Sequence, residues 1–341
     1  VTAVLVTGGA GYIGSHTCKA LQRAGFFPVS YDNLSRGNPE AVQWGPLEIG
    51  DLADRERLID VMARHDVGAV VHFAAFAYVG ESNENPALYH RNNVGGTETL
   101  LETMDARGVD TIVFSSSCAV YGMPHAVPIG EDAPLAPISP YGETKAICEQ
   151  MLRERAASSA LSFIALRYFN AAGADPDGDI GECHVPETHA IPLLLDVAAG
   201  ARPHFTIFGD DYPTADGTCI RDYIHVSDLA SAHVAALRAL RDGAAKNTAL
   251  NLGTGRGWSV RELVDSARAV TKRPLPMQIG PRRPGDPPHL VADAGRAYER
   301  LGWRPRYSDI ATQIAHAWAW RQGAVRNWHR MQAWPGPQPP P

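Results

Sequence analysis

Tyr141 and Lys145, in the run Tyr141-Gly142-Glu143-Thr144-Lys145, stand four residues apart, a spacing that puts a phenol and an ammonium on one face of a helix. A free phenol has a pKa of about 10 and is a poor base near neutral pH, but a nearby cation stabilises its anion. The apolar run Thr111 to Phe114 ends in Ser115-Ser116-Ser117, where a hydroxyl could pass a proton between that phenol and a bound alcohol. Tyr-x-x-x-Lys is common by chance, so the reading depends on elements that would bring these groups to one place.

The first such element is at the N-terminus. Ala3 to Thr7 reads as a strand, Gly8-Gly9-Ala10-Gly11-Tyr12-Ile13-Gly14 as a turn, and Ile13 to Ala24 has helical spacing. Glycines here allow a tight turn and close backbone approach, while the unpaired N–H groups at the start of the helix suit a dinucleotide pyrophosphate. Gly8, Gly11, Tyr12, Ile13 and Gly14 are therefore candidate cofactor residues. A second strand, Phe27 to Tyr31, ends in Asp32, 18 positions beyond Gly14, where a carboxylate can accept from ribose hydroxyls. An acid there repels a 2′-phosphate, which favours NAD over NADP.

Alternation continues through Leu47 to Ile49, a helix from about Asp54 to Arg64, Ala69 to Phe73, a long helix from about Ala87 to Arg107, and Thr111 to Phe114. That order predicts an α/β fold, a doubly wound parallel sheet with its ligand at the carboxyl ends of the strands. Asp51, Phe73 and Ala74 fall at such ends, and the serines and Tyr141 are delivered to the same edge. Asn92 and Asn93 sit inside the long helix, where asparagine is a modest cost, so one of them is expected to face the ligand. After Asn170 the alternation gives way to a turn-rich stretch from Ala171 to Gly178.

Composition narrows the classes. A chain of 341 residues, 45% hydrophobic and 20% charged, is an ordinary globular protein large enough for two domains or one domain with a lobe. The net charge of -6 gives no electrostatic reason to expect nucleic acid or an acidic membrane surface. Five scattered cysteines, Cys18, Cys118, Cys148, Cys183 and Cys219, lack a C-x-x-C spacing, so no disulfide framework and no metal site is expected. They fit a cytoplasmic setting. The opening Val4-Leu5-Val6 reads as a strand rather than a signal peptide, and no run approaches the ~18 apolar residues of a membrane span.

Taken together, the sequence resembles the extended short-chain dehydrogenase/reductases, and within them the branch that inverts C4 of UDP-sugars. The resemblance is carried by Thr7 to His16, Asp32-Asn33-Leu34, His72 to Ala75, Val79 to Ser82, Ser115 to Ser117 with Val120-Tyr121-Gly122, and Ser139 to Gly142. It continues through Leu166 to Asn170, Asp211 to Thr214, Arg221 to Val226, Asn251 to Gly253 and Arg282 to Asp286, nearly the whole chain up to its tail. It implies a Rossmann-type sheet with a smaller C-terminal α+β substrate-binding lobe, NAD as cofactor, and Tyr141, Lys145 and Ser117 as the catalytic residues. The cofactor set then extends to Asn33, Leu52, Ala75, Asn92, Ser115, Tyr168, Tyr141 and Lys145. Toward a UDP-sugar it implies Ser117, Tyr141, Asn170, His189, Phe208 near uracil, Arg221 and Arg283 on the phosphates, and Asp286 on a ribose hydroxyl. An Arg fork suits diphosphate oxygens better than a compact ammonium does. A homodimer through the helices Ala87 to Arg107 and Tyr141 to Ala157 is also implied.

The expected division is 1–170 for the NAD-binding part with the catalytic residues, 171–330 mainly for the substrate lobe with some segments returning to the first part, and 331–341 for a Pro-rich extended tail. Later elements are expected at Tyr223 to Val226 (strand), Ser227 to Leu240, Ser259 to Val270 and Ser308 to about Arg321 (helices). Trp318 and Trp320 are read as packing anchors, and Arg221-Asp222 as a pair that could close locally. Three positions depart from the branch. Ala77 stands in place of a lysine, His189 in place of an asparagine near the sugar, and Leu290 in place of a bulky tyrosine at the sugar wall. The sugar is therefore expected to be glucose/galactose, with arabinose/xylose or an N-acetylhexosamine as alternatives. A 4,6-dehydratase would carry an Asp-Glu pair where this chain has Cys118-Ala119, and a non-catalytic NAD sensor would not need Ser117, Tyr141 and Lys145.

Overall fold

The computed structural model describes residues 2–283 and 285–331; the last helix, Ile310–Met331, runs past its expected end at about Arg321 and takes in the first residue of the expected tail 331–341, whose other residues lie outside the described ones. Six strands come in succession: β1 (Ala3–Thr7), β2 (Phe27–Asp32), β3 (Leu47–Ile49), β4 (Val67–His72), β5 (Thr111–Ser117) and β6 (Ser162–Tyr168). The chain then builds β7 (Asn170–Ala172), β8 (Phe205–Phe208) and β9 (Ile220–His225) and comes back with β10 (Thr248–Leu252). It closes with β11 (Gly257–Ser259), β12 (Met277–Gly280) and β13 (His289–Leu290).

The main sheet has seven strands in the order β10-β6-β5-β4-β1-β2-β3, every neighbour parallel. Strands buried on both faces need apolar residues at successive positions, and β1 shows it: Val4, Leu5 and Val6 are all fully buried, Leu5 on one face and its neighbours on the other. The chain order reverses between β1 and β4, which opens a crevice at their carboxyl ends. Thr7 sits there between Tyr31 and His72.

The expected segments form with shifted edges. β4 ends at His72, β5 runs through the serines to Ser117, and β9 begins at Ile220. The long helix contains a π-turn at His90–Gly95 between Pro86–Tyr89 and Gly96–Arg107. Caps explain several starts. Asp54 accepts from Arg57 N, Ser139 accepts from Gly142 N with Pro140 behind it, and Ser259 and Glu262 form a capping box. Gly108 ends Gly96–Arg107 at φ 67°, a left-handed conformation that glycine adopts freely.

β7, β11 and β13 pair with β9, and β8 pairs with β12, giving a lobe whose core is filled by the helices Ala190–Ala198, Val260–Thr271 and Ile310–Met331. Three later segments return to the sheet's faces and edge: helix Val226–Arg241, β10, and helix Gly295–Leu301 with Trp303. Trp318 packs in the lobe core and Trp320 Nε1 donates to Glu182 O at 3.3 Å. Among the described residues no helix is long and apolar enough to cross a membrane.

Candidate active site

The glycine turn is built for close approach. Gly8 has φ +72°, and a Cβ on it would lie 2.7 Å from Ala74 N; a Cβ on Gly14 would lie 2.1 Å from Gly8 O. Helix Tyr12–Arg23 follows with no side-chain cap on its first turn, so the N–H groups at Tyr12, Ile13 and Gly14 are unclaimed by a capping side chain. This cradle suits a pyrophosphate. Asp32, buried at the end of β2, accepts from Ala10 N at 3.1 Å and Leu34 N at 2.9 Å. Burial raises its pKa, and those two N–H donors act in the opposite direction. Asn33 Nδ2 donates to Asp51 Oδ2 at 2.8 Å, Leu52 lies buried beside Gly96, and Phe73 and Ala74 both donate backbone N–H to Thr7 O. Ala75 follows them, half-buried.

Arg36 lies near the same edge, stacked 5.0 Å from the Phe76 ring centre and 4.8 Å from that of Tyr78, and pairs with Glu81 at 2.7 Å. Ala77, between those aromatics, is exposed. Of the two asparagines in the long helix, Asn93 is spent internally: it bonds both backbone groups of Phe76 and the Thr144 hydroxyl. Asn92 is half-buried in the π-turn and donates to Asn93 Oδ1 at 2.9 Å.

Strand β5 and helix Pro140–Ser158 bring the chemistry together. Lys145 Nζ donates to Ser115 O at 2.7 Å and lies 6.0 Å from the Tyr141 ring centre. Its burial beside Phe114 lowers its pKa to about 8, against the pull of Cys148 and Glu149. Enclosure pushes the Tyr141 phenol up to about 12, while the Ser117 hydroxyl facing it works downward. Ser117 Oγ also accepts from Ala119 N, and the Ser115 hydroxyl bonds the Tyr168 phenol. Ser115, Ser117, Tyr141, Lys145 and Tyr168 thus share one neighbourhood at the carboxyl edge.

On the lobe side, Asn170 Nδ2 donates to Asp222 O at 3.1 Å, holding β7 against β9. Arg221 is largely buried, donates to Ile220 O and pairs with Asp286. The local Arg221-Asp222 pair does not form, because neighbours on a strand point to opposite faces. The Asp222 carboxylate instead accepts from Thr254, Gly255 and Ala292. The Arg283 guanidinium stacks 4.1 Å from the centre of the Phe208 ring. Leu290 is buried with Val120, Tyr121 and Phe169, in register with Arg221. His189 precedes helix Ala190–Ala198, its Nδ1 2.7 Å from Glu182 and 3.1 Å from Glu187. Burial opposes a charge on His189, but the two carboxylates outweigh it and lift its pKa well above the ordinary value.

The family model of the NAD dependent epimerase/dehydratases matches residues 4–253. The chain belongs to this family. It is 55% identical over 317 residues to the UDP-glucose 4-epimerase of Rhizobium meliloti (strain 1021), covering 93% of this chain and 96% of that protein. Among solved structures, the Brucella ovis UDP-glucose 4-epimerase in complex with NAD superposes with a TM-score of 0.91 at 53% identity, covering 93% of this chain and 98% of that one. The Stenotrophomonas maltophila UDP-glucose-4-epimerase with bound NAD and formylated UDP-arabinopyranose does so at 0.92 and 42%, covering 96% and 100%.

Around Tyr141 and Lys145 lies a support that the sequence reading passed over. Buried Glu149 accepts from Ser116 Oγ at 2.6 Å and takes both Arg167 Nε and Nη2. Arg167 also reaches Tyr121, whose phenol donates to Asn251. The signal was present in two forms: Glu149 is one helical turn beyond Lys145 on the same face, and Arg167 interrupts the apolar run of β6.

Proposed function

We propose that this protein inverts C4 of a UDP-sugar, interconverting UDP-glucose and UDP-galactose through a transient 4-keto sugar, with NAD as its resident cofactor. The observation that carries this reading is the convergence of Ser117, Tyr141 and Lys145 at the carboxyl edge of the sheet that also carries the glycine cradle. Gly8, Gly11, Tyr12, Ile13 and Gly14 hold the pyrophosphate, and Asp32 with Asn33 takes the adenosine ribose. Asp51, Leu52, Phe73, Ala74, Ala75 and Asn92 line the rest of the cofactor, with Ser115 and Tyr168 at its nicotinamide end. NAD is favoured over NADP because Asp32 repels a 2′-phosphate and the charge of Arg36 is already matched by Glu81. When bound, NAD takes the C4 hydrogen with its electron pair and later gives it back.

Tyr141 accepts the proton of the 4-hydroxyl, and Ser117 relays it between sugar oxygen and phenol. A phenol pushed up by enclosure needs positive charge beside it to act as a base, which the Lys145 ammonium and a bound oxidised nicotinamide would both supply. Lys145 anchors the nicotinamide ribose and fixes the end of β5 through Ser115 O. Arg221 and Arg283 hold the diphosphate, with Asn170 beside it, Phe208 against uracil and Asp286 on the ribose. His189 and Leu290 face the sugar. A firm hold on UDP and a loose one on the sugar retain the keto intermediate while letting it turn.

The protein works in galactose and nucleotide-sugar metabolism, in the cytoplasm, as a homodimer through the helices at 87–107 and 141–157. Unpaired Cys18, Cys118, Cys148, Cys183 and Cys219 suit a reducing compartment, and sedimentation at several concentrations tests the dimer. Incubation with UDP-galactose, UDP-N-acetylgalactosamine and UDP-arabinose in turn, with and without added NAD, tests the reaction. UDP-glucose as the main product from UDP-galactose is expected; a 4-keto-6-deoxy sugar, or no product from any of the three, would overturn it.

A further inference from the structure

The loop between β7 and helix Ala190–Ala198 carries Glu182, His184, Glu187 and His189, a Glu-x-His-x-x-Glu-x-His spacing that the reaction above leaves mostly unused. One donor atom from each lies within 4.8 Å of all the others. Both histidines present Nδ1 to the same two carboxylates. His189 Nδ1 is 2.7 Å from Glu182 Oε1 and 3.1 Å from Glu187 Oε1; His184 Nδ1 is 3.1 Å from Glu182 Oε1 and 3.8 Å from Glu187 Oε2. A tetrahedral zinc ion with bonds of about 2.0–2.2 Å has ligand atoms roughly 3.3–3.5 Å apart. The four His–Glu separations, 2.7 to 3.8 Å, lie on both sides of that value, and one donor atom from each residue lies within 4.8 Å of the others, so small side-chain rotations would bring the four into one coordination sphere.

The ligand types narrow the ion. Two imidazole nitrogens with two carboxylate oxygens suit zinc or a similar first-row divalent metal, whereas magnesium and calcium prefer oxygen alone. The adjacent acidic set makes the contrast plain. Asp175, Asp177 and Asp179 are also close together, but Lys19 Nζ sits among them at 2.5, 3.0 and 2.7 Å and fills the place a cation would take. Among the described residues, Glu182 and Glu187 have no lysine or arginine within ion-pair distance; their side-chain partners are the two histidines, and Glu187 Oε1 also accepts from the backbone N–H groups of Thr188 and His189 at 2.7 Å each.

We infer that Glu182, His184, Glu187 and His189 form a structural zinc-class site. All four protein positions are filled, as in a closed structural centre rather than a catalytic one with an open position. Its place in the fold says what it would hold. The His184 ring lies edge-on to Tyr12 at 6.2 Å and to Tyr78 at 6.1 Å, Tyr78 OH donates to Pro186 O, and Trp320 Nε1 donates to Glu182 O. Tyr12 opens the glycine-turn helix, so the ion would staple the lobe's loop against the wall of the cofactor crevice and fix the imidazole of His189 beside the sugar.

Metal analysis of protein purified without chelators, together with calorimetric titration of the chelator-treated protein with Zn2+, tests this directly. One equivalent per chain is expected, with affinity at least tenfold weaker in Glu182→Gln and in His184→Ala. Co2+ in its place is expected to give the intense visible bands of a four-coordinate ion. Chelation is expected to lower the melting temperature of the wild type and to leave that of His184→Ala unmoved. No binding of Zn2+ or Co2+ by the folded, NAD-retaining protein, or equal binding by Glu182→Gln and His184→Ala, would overturn the site. None of these readouts depends on which sugar is turned over.

Discussion

The two ends of the proposed substrate site are made differently. At the reacting end, Ser117 and Lys145 are nearly fully buried, stand on a strand of the main sheet and on the helix packed against it, and are backed by a second buried layer of Ser116, Glu149 and Arg167. At the nucleotide end, Phe208 and Arg221 lie on short strands of the lobe, Asp286 and exposed Arg283 lie in the loop before β13, Arg221 is paired with Asp286, and Arg283 is stacked on Phe208. Chemistry that tolerates little displacement is mounted on the most extensive part of the fold. Grip is mounted where side chains can exchange an internal partner for a ligand.

The contrast is sharpest if the two functions separate on mutation. Tyr141→Phe removes only the hydroxyl, and turnover is expected to fall by about 10^3-fold or more while NAD and UDP still bind. Steady-state rates beside UDP calorimetry check this; near-normal turnover would remove Tyr141 as the base. Arg221→Ala is expected to do the reverse, weakening UDP by roughly 30-fold or more, since it also leaves Asp286 without its partner. If kcat fell and UDP affinity held, the division between the ends would fail.

Lys145 allows a subtler test through pH. Its folded pKa, about 8, lies below the ordinary value near 10.5, so the folded protein binds fewer protons than the unfolded chain between those limits. Stability from this group therefore rises with pH across about 8 to 10.5, and Lys145→Met is expected to flatten that part of a urea-midpoint curve. The same variant, lacking a cation near Tyr141, is expected to move the acid limb of the rate profile to higher pH. An unmoved limb would reduce Lys145 to an anchor. Smallest of all, Leu290→Tyr is expected to change the ratio of N-acetylated to plain sugar turnover several-fold with UDP affinity constant, measured by competition between the two substrates.

How legible each end was follows from the same difference. Gly8 to Gly14, Asp32 and the serines lie at the ends of strands with continuous apolar runs, and Tyr141 and Lys145 share a helical period, so local pattern reaches them. A local pairing of Asp222 with Arg221 is a misreading, since alternation along β9 turns Asp222 to the other face, where it accepts from Thr254, Gly255 and Ala292. What local pattern could not reach is contact across the chain. The Asp286 to Arg221 pair and the stacking of Arg283 on Phe208 join residues far apart in sequence, and the ring of Glu182, His184, Glu187 and His189 sits on a loop with no period to reveal which side chains converge.

The return of β10 to the far edge of the main sheet has a consequence for how the molecule is made. Residues 1–170 would leave β6 with an open edge at Ile164 to Tyr168, where Thr248 to Leu252 belong. During synthesis that edge stays uncovered until residue 252 has left the ribosome, and everything built between must be folded or tolerated meanwhile. Cutting the chain between β7 and β10 would accordingly give two fragments that recover the fold only when supplied together.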